Sequence, residues 1–202
     1  MSGSAHHPCF IRLANNADVV KKIHWFSTLS HPKRKLHYRQ PERKHSPLNI
    51  VLLDTSASTL GKQSLSDAKG AIAQLAEDCY LRREQLCIMT FGNNQIETVL
   101  RQRRAPRNIQ TFLDNVQAGG GTPLRKALLQ VRDIVKKHQQ QTCQLFLFTD
   151  GRSRESLQNI HFDCDVMIID TENVDIKLGM SQQLAQQLNG RYVHVQDLQA
   201  CL

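Results

Sequence analysis

From residue 48 onward the chain alternates between short, nearly unbroken apolar runs and longer segments whose apolar positions recur every three or four residues. Runs of the first kind at 49–54, 85–91, 143–149 and 165–170 predict strands buried on both faces. A shorter run at 95–100 follows the turn signal Gly92-Asn93-Asn94 and predicts a hairpin partner for 85–91. Segments of the second kind predict helices at 64–82, 106–116, 123–137 and 180–188. In the first of these, Leu65, Ala68, Ile72, Leu75, Ala76 and Cys79 share one face. Pro106 and Pro123 stand at helix starts, and Asn189-Gly190 is a stop signal before a last strand at 191–195. Buried strands alternating with amphipathic helices specify an α/β fold: a doubly wound, mostly parallel sheet with helices on both faces.

Residues 1–47 do not share this pattern. They hold Pro8, Pro32, Pro41 and Pro47 among many His, Lys and Arg. Val19, Val20, Ile23, Phe26 and Leu29 have near-helical spacing within 18–29, and the rest up to Pro47 reads as an extended connector. The division expected is therefore a basic N-terminal extension and linker, 1–47, and a globular domain, 48–202. Charge follows the same division. Residues 1–47 carry nine Lys/Arg against two Asp/Glu, a net of +7, and residues 48–202 carry seventeen against sixteen, a net of +1. A basic arm of this kind suits a solvated, partner-docking tail, and it is also the kind of segment that meets nucleic acid.

Cysteine usage narrows the setting. Cys9, Cys79, Cys87, Cys143, Cys164 and Cys201 include no Cys-x-x-Cys pair, so neither a zinc ribbon nor a dithiol redox motif is spelled out. Free thiols acting as small hydrophobes agree with a reducing compartment. The start Met1-Ser2-Gly3-Ser4-Ala5-His6-His7 lacks the form of a secretory signal, and no apolar run has the length of a membrane span. A cytoplasmic location is the default expectation.

Small oxygen-bearing side chains follow three of the apolar runs or loops. They are Asp54-Thr55-Ser56-Ala57-Ser58, Gly119-Gly120-Gly121-Thr122-Pro123 and Thr149-Asp150-Gly151. In a parallel sheet, ligands gather beyond the carboxyl ends of the strands, and that is where Asp54 and Asp150 fall. Thr122 lies in a loop leading into a helix, on the same rim in a right-handed β-α-β layout. Two carboxylates and three hydroxyls, without nitrogen or sulfur, are the donors a hard cation such as Mg²⁺ (or Mn²⁺) takes while retaining room for an outside ligand. Other constellations are weaker. Asp170 and Glu172 flank Thr171 at a strand end, where structural hydrogen bonding accounts for them more simply than acid–base chemistry. His138, His161 and His194 are scattered. Arg82 and Arg83 follow a helix end, where cations favour the dipole. Arg101, Arg103, Arg104 and Arg107 form a second basic cluster with only Phe112 nearby, so base stacking is poorly supported.

Asp-x-Ser-x-Ser, a distant Thr and a later Asp-Gly resemble the metal-ion-dependent adhesion site of von Willebrand factor A domains. Carried over by position, the set is Asp54, Ser56, Ser58, Thr122 and Asp150, with Ala57 where the family usually has Gly. The resemblance implies that both Ser and the Thr bind the ion, that the two Asp support it, commonly through water, and that a partner's carboxylate completes the shell. Ala68-Lys69-Gly70-Ala71, Thr149-Asp150-Gly151-Arg152, Ile169-Asp170-Thr171-Glu172 and Gly190-Arg191-Tyr192-Val193 follow one another in order. Over roughly residues 48–200 this series is similar to the C-terminal domain of the D-type chain of magnesium chelatase, and to related cobalt chelatase chains. Those chains carry an AAA+ domain. This one has no Gly-x-x-x-x-Gly-Lys-Ser/Thr loop, so no phosphate cradle of that type. The resemblance therefore implies a non-catalytic, Mg-dependent adaptor that works with an AAA+ ATPase supplied in trans, in metal insertion into a tetrapyrrole or in metalloprotein maturation. An alternative expectation is an RNA-binding von Willebrand-like protein that uses the basic arm.

Overall fold

In a computed structural model, the structure describes residues 46–56, 62–117, 119–153, 155–172 and 179–200. The basic extension, including the expected helix at 18–29, lies outside the described residues, as do Ala57 and Ser58.

Six strands form one sheet: β1 Leu48–Asp54, β2 Gln85–Gly92, β3 Gln95–Arg104, β4 Cys143–Thr149, β5 Asp165–Asp170 and β6 Arg191–His194. Their order is β3-β2-β1-β4-β5-β6. All neighbours pair parallel except β2 and β3. The helices are α1 Lys62–Leu81, α2 Gln110–Leu113, α3 Leu124–Lys137, α4 Met180–Gln187 and α5 Val195–Ala200. This is the doubly wound α/β arrangement that the pattern predicts.

β1 lies at the centre, and every residue of Leu-Asn-Ile-Val-Leu-Leu-Asp is buried. Such a strand shows no alternation because helices cover both its faces. The period of two still sorts its side chains. Leu48, Ile50 and Leu52 join Leu145, Leu147, Met89 and Ile168 in a core closed by Leu124, Leu128 and Val131 of α3 and by Leu184 of α4. On α1, Ala68, Ala71, Ile72, Leu75, Ala76 and Cys79 are buried, and this helix lies against β1, β2 and α5.

Three elements depart from the expected pattern. The helix expected at 106–116 is reduced to the single turn of α2. Asn108 Oδ1 accepts the backbone N–H of Gln110 (3.0 Å), a side-chain turn that competes with helix before that point. Ile109, Leu113 and Val116 are nevertheless buried, so apolar spacing marks the inner face without a long helix. β3 runs four residues past Leu100, because Arg103 and Arg104 pair with Leu86 and Gln85. A short helix, α5, follows β6 where none is expected.

Candidate metal centre

β1 leads on to β2 on one side of the sheet, and the chain later returns to β4 on the other. The strand order therefore reverses between β1 and β4, at the point where open α/β sheets form a crevice for ligands. Parallel pairing runs to Leu53 opposite Phe148, which sets Asp54 beside Thr149 and Asp150.

Asp54 is 1 % exposed. Its Oδ1 accepts the N–H of Ser56 at 2.9 Å, and its Oδ2 accepts the Thr149 hydroxyl at 2.8 Å. The Thr149 Oγ1 also accepts the N–H of Gly151 (3.1 Å), so one hydroxyl ties the two strand ends together. Asp150 is buried as well. Its Oδ1 accepts the N–H of Arg152 at 3.1 Å, while its Oδ2 is buried without a hydrogen-bond partner among the described residues. The Arg152 Nε stands 3.6 Å from that oxygen, near enough for attraction and too far for a hydrogen bond. The guanidinium is committed instead to Glu172, whose Oε1 accepts Nη2 at 2.8 Å.

The loop after β1 is pinned at Thr55. Its N–H and hydroxyl both donate to the Phe91 carbonyl, at 2.9 and 3.2 Å, and its own carbonyl accepts the N–H of Gly119 at 2.7 Å. That last bond joins the Asp54 loop to the glycine loop carrying Thr122. The glycine loop rests on the β2–β3 turn, where Asn93 and Asn94 both have positive φ, as a two-residue hairpin turn requires. A Cβ on Gly119 would lie 2.7 Å from Asn93 Cβ, and one on Gly121 (φ +76°) would lie 2.5 Å from Asn94 Oδ1. The glycines are thus needed for close approach as much as for backbone freedom. Thr122 is half-buried just before α3, its carbonyl accepting the N–H of Leu124 at 2.8 Å.

Of the five residues singled out from the sequence, Asp54, Ser56 and Asp150 lie at two adjacent strand ends. Thr122 lies in a loop bonded to the first of them, and Ser58 lies outside the described residues. Thr149, Thr55 and Arg152 were not part of the expected set. For Thr149 the only signal is its place directly before Asp150.

Electrostatics gives the centre its character. Burial pushes the Asp54 carboxyl up from 3.8 to about 6, against the pull of the Ser56 N–H, the Thr149 hydroxyl and the Ser56 hydroxyl, and the charge of Asp150 adds a smaller push in the same direction. Two buried carboxylates side by side, one with an oxygen that meets Arg152 at 3.6 Å but accepts no hydrogen bond among the described residues, make a place where added positive charge is favourable. Every donor in the set is oxygen, so the residues present fit a hard divalent cation of the Mg²⁺ class.

Asp170, the last residue of β5, and Glu172 belong to a polar network that Arg152 joins to Asp150. Asp170 accepts from the Glu172 N–H (2.9 Å), the Ser181 hydroxyl (3.1 Å) and the Tyr192 hydroxyl (2.8 Å). The Glu172 carbonyl lies 3.0 Å from His194 Nε2. Burial, with the bond to Asp170, pushes the Tyr192 phenol well up. These hydrogen bonds to Asp170, and the Arg152 ion pair with Glu172, give the two carboxylates a structural role.

A family profile described as von Willebrand factor type A domain matches residues 50–152, a stretch that contains all five positions. The chain is 27 % identical over 185 residues to the magnesium-chelatase 67 kDa subunit of Chlorobaculum tepidum, covering 78 % of this chain and 30 % of that protein. The corresponding subunit of Heliobacterium mobile is 26 % identical over 186 residues, covering 80 % and 28 %. The chain thus spans about 30 % of the length of the curated relatives it matches. Among solved structures, BatB of Bacteroides thetaiotaomicron superposes with a TM-score of 0.60 at 17 % identity, covering 77 % of this chain and 95 % of that one. A von Willebrand factor type A protein of Catenulispora acidiphila gives 0.58 at 17 % identity, covering 82 % and 43 %. Both share the fold. By sheet order, by the matched stretch and by its resemblance to chelatase subunits, the chain belongs to the von Willebrand factor type A domain family.

Proposed function

We propose that this chain is a non-catalytic, Mg²⁺-dependent (or Mn²⁺-dependent) interaction domain. Asp54, Ser56, Ser58, Thr122 and Asp150 would hold the ion at the β1–β4 switch point. The observation that carries this reading is the pair of buried carboxylates there, with Asp150 Oδ2 lacking a hydrogen-bond partner among the described residues. When bound, the ion supplies a positive charge that accepts a carboxylate from outside the chain. The chain's own residues orient the site: the Thr149 hydroxyl and the Ser56 N–H hold Asp54, and the Thr55–Gly119 bond holds the Thr122 loop.

The likeness to magnesium-chelatase subunits supports a partner of the AAA+ ATPase class, supplied in trans, with the domain acting as an adaptor in a chelatase-like complex. The assembly would serve metal insertion into a tetrapyrrole or maturation of a metalloprotein. The test is twofold. Calorimetric titration with MgCl₂ and MnCl₂ should give one site in the wild type and none in Asp54→Ala or Asp150→Ala. Co-purification with a chelatase-type AAA+ ATPase should be lost in EDTA and in Asp54→Ala. Binding indifferent to both changes would reject the adaptor mechanism.

A further inference from the structure

At the opposite end of the sheet, a strand length of roughly 20–25 Å from the metal rim, the chain assembles a different surface. α1 ends at Leu81, and Arg82 and Arg83 follow directly; all three side chains are exposed. β2 begins two residues later. Because β3 returns antiparallel, its last residues lie beside the first of β2: Arg103 is opposite Leu86, on the face that α1 covers, and Arg104 is opposite Gln85, on the other face. The Ala105 N–H donates to the Glu84 carbonyl at 3.0 Å, and Arg107 follows, also exposed. Arginines 20 residues apart in the sequence are thereby collected at one pole of a domain whose net charge is only +1 over residues 48–202.

Among the described residues, the nearby acids Glu77, Asp78 and Glu84 offset only part of this charge. Asp78 pairs with Arg82 at 3.4 Å across the exposed surface of α1, a contact worth little in water. Glu84 is buried, its Oε2 accepting the Asn49 amide at 2.8 Å. Protection of an open edge explains part of the pattern. β3 carries exposed arginines and shifts register twice against β2, and both features discourage strand-to-strand association. That purpose does not require Arg82, Arg83 or Arg107, which lie off the edge strand. The same irregular edge argues against a partner that adds a strand, and in favour of one held through side chains.

We propose that Arg82, Arg83 and Arg103, with Leu81, form a second docking surface for an acidic protein segment that also carries an apolar residue, with Arg104 and Arg107 flanking it at the same end of the domain. Charge complementarity sets the first requirement, and guanidinium forks suit carboxylates. Leu81, 69 % exposed beside Arg82, sets the second. An exposed leucine offers nothing to a phosphate backbone and gives a protein segment an apolar anchor. This surface is independent of the metal reading.

The test uses the full chain and fluorescence anisotropy with a labelled Glu/Asp-rich peptide containing Leu. Its comparisons are the same peptide with Gln and Asn replacing the acids, and a single-stranded RNA oligonucleotide of equal charge. Affinity for the acidic peptide should fall about tenfold or more in Arg83→Glu/Arg103→Glu/Arg104→Glu. It should fall less in Leu81→Ser, weaken as salt rises from about 50 to about 300 mM, and stay unchanged in EDTA and in Asp54→Ala. Arg82→Ser/Arg83→Ser/Arg103→Ser provides the same comparison if charge reversal disturbs folding, which thermal melting checks. Unchanged affinity in both triple variants would place the binding elsewhere and overturn the proposal. Loss in EDTA and Asp54→Ala alone would assign the peptide to the metal rim, and tighter RNA binding that is lost in the triple variants would assign the surface to nucleic acid; either result also overturns it.

Discussion

Asp54→Asn should make the ion-free domain more stable while abolishing its response to Mg²⁺. The buried carboxyl is raised from 3.8 to about 6, chiefly by burial. Because the folded-state value lies above the ordinary one, the ion-free domain gains stability from a protonated Asp54. That gain is complete below about pH 4 and is lost as the pH rises through about 6. At pH 8, without an ion, the charged side chain therefore costs up to about 3 kcal/mol. An amide of the same shape keeps an acceptor for the Ser56 N–H and gives up charge-strengthened bonds, so the net gain should be about 1–2 kcal/mol. In a chain of this length that is a rise in Tm of about 2–8 °C. Differential scanning calorimetry in EDTA at pH 8 should show this rise, and the difference should disappear near pH 4. Added MgCl₂ should raise the wild-type Tm and leave the variant unmoved. A variant less stable than wild type in EDTA at pH 8 would refute the reasoning, because it would show that the hydrogen bonds to the carboxylate outweigh its burial.

Thr149→Val leaves Asp54 Oδ2 buried without its hydroxyl donor, and should cost about 1–3 kcal/mol in urea unfolding followed by circular dichroism in EDTA, with part recovered in MgCl₂. Gly121→Ala places a side chain on a residue at φ +76° and against the Asn94 amide; it should cost about 1–2 kcal/mol and weaken Mg²⁺ binding measured by calorimetry. Burial pushes the thiols of Cys79 and Cys87 up to about 12 and about 11. At pH 8 both should resist iodoacetamide in the native protein and be alkylated in urea, as read by peptide mass spectrometry.

Much of this protein is legible in its sequence because both sheet faces are covered. β1 and β4 read as continuous apolar runs, since a strand buried on both sides has no polar face to alternate. Once strands and helices alternate, carboxylates directly after those runs must stand at the rim where strands end, so Asp54 and Asp150 are found without coordinates. The glycines before Thr122 announce a close backbone approach in the same way. What the approach is made against, Asn93 and Asn94 of the β2–β3 turn, is not written beside them.

Elements decided by pairing are not legible. The last part of β3 is exposed and basic, with no alternation to reveal it, and it is a strand because Gln85 and Leu86 lie opposite. The short span of α2 is a competition between apolar spacing and the Asn108 turn, whose outcome local sequence leaves open. By itself, then, the sequence determined the parallel sheet, its helical layers and the two carboxylates at its rim, because burial and strand direction are written as periodicity. Only the tertiary structure decided that Thr149 bonds Asp54, that Arg152 hydrogen-bonds Glu172 while one Asp150 oxygen accepts no hydrogen bond among the described residues, and that arginines from two segments meet at the far pole. Those outcomes depend on which strands are neighbours and in what register, and contacts between residues twenty to ninety-five positions apart leave no periodic trace in the chain.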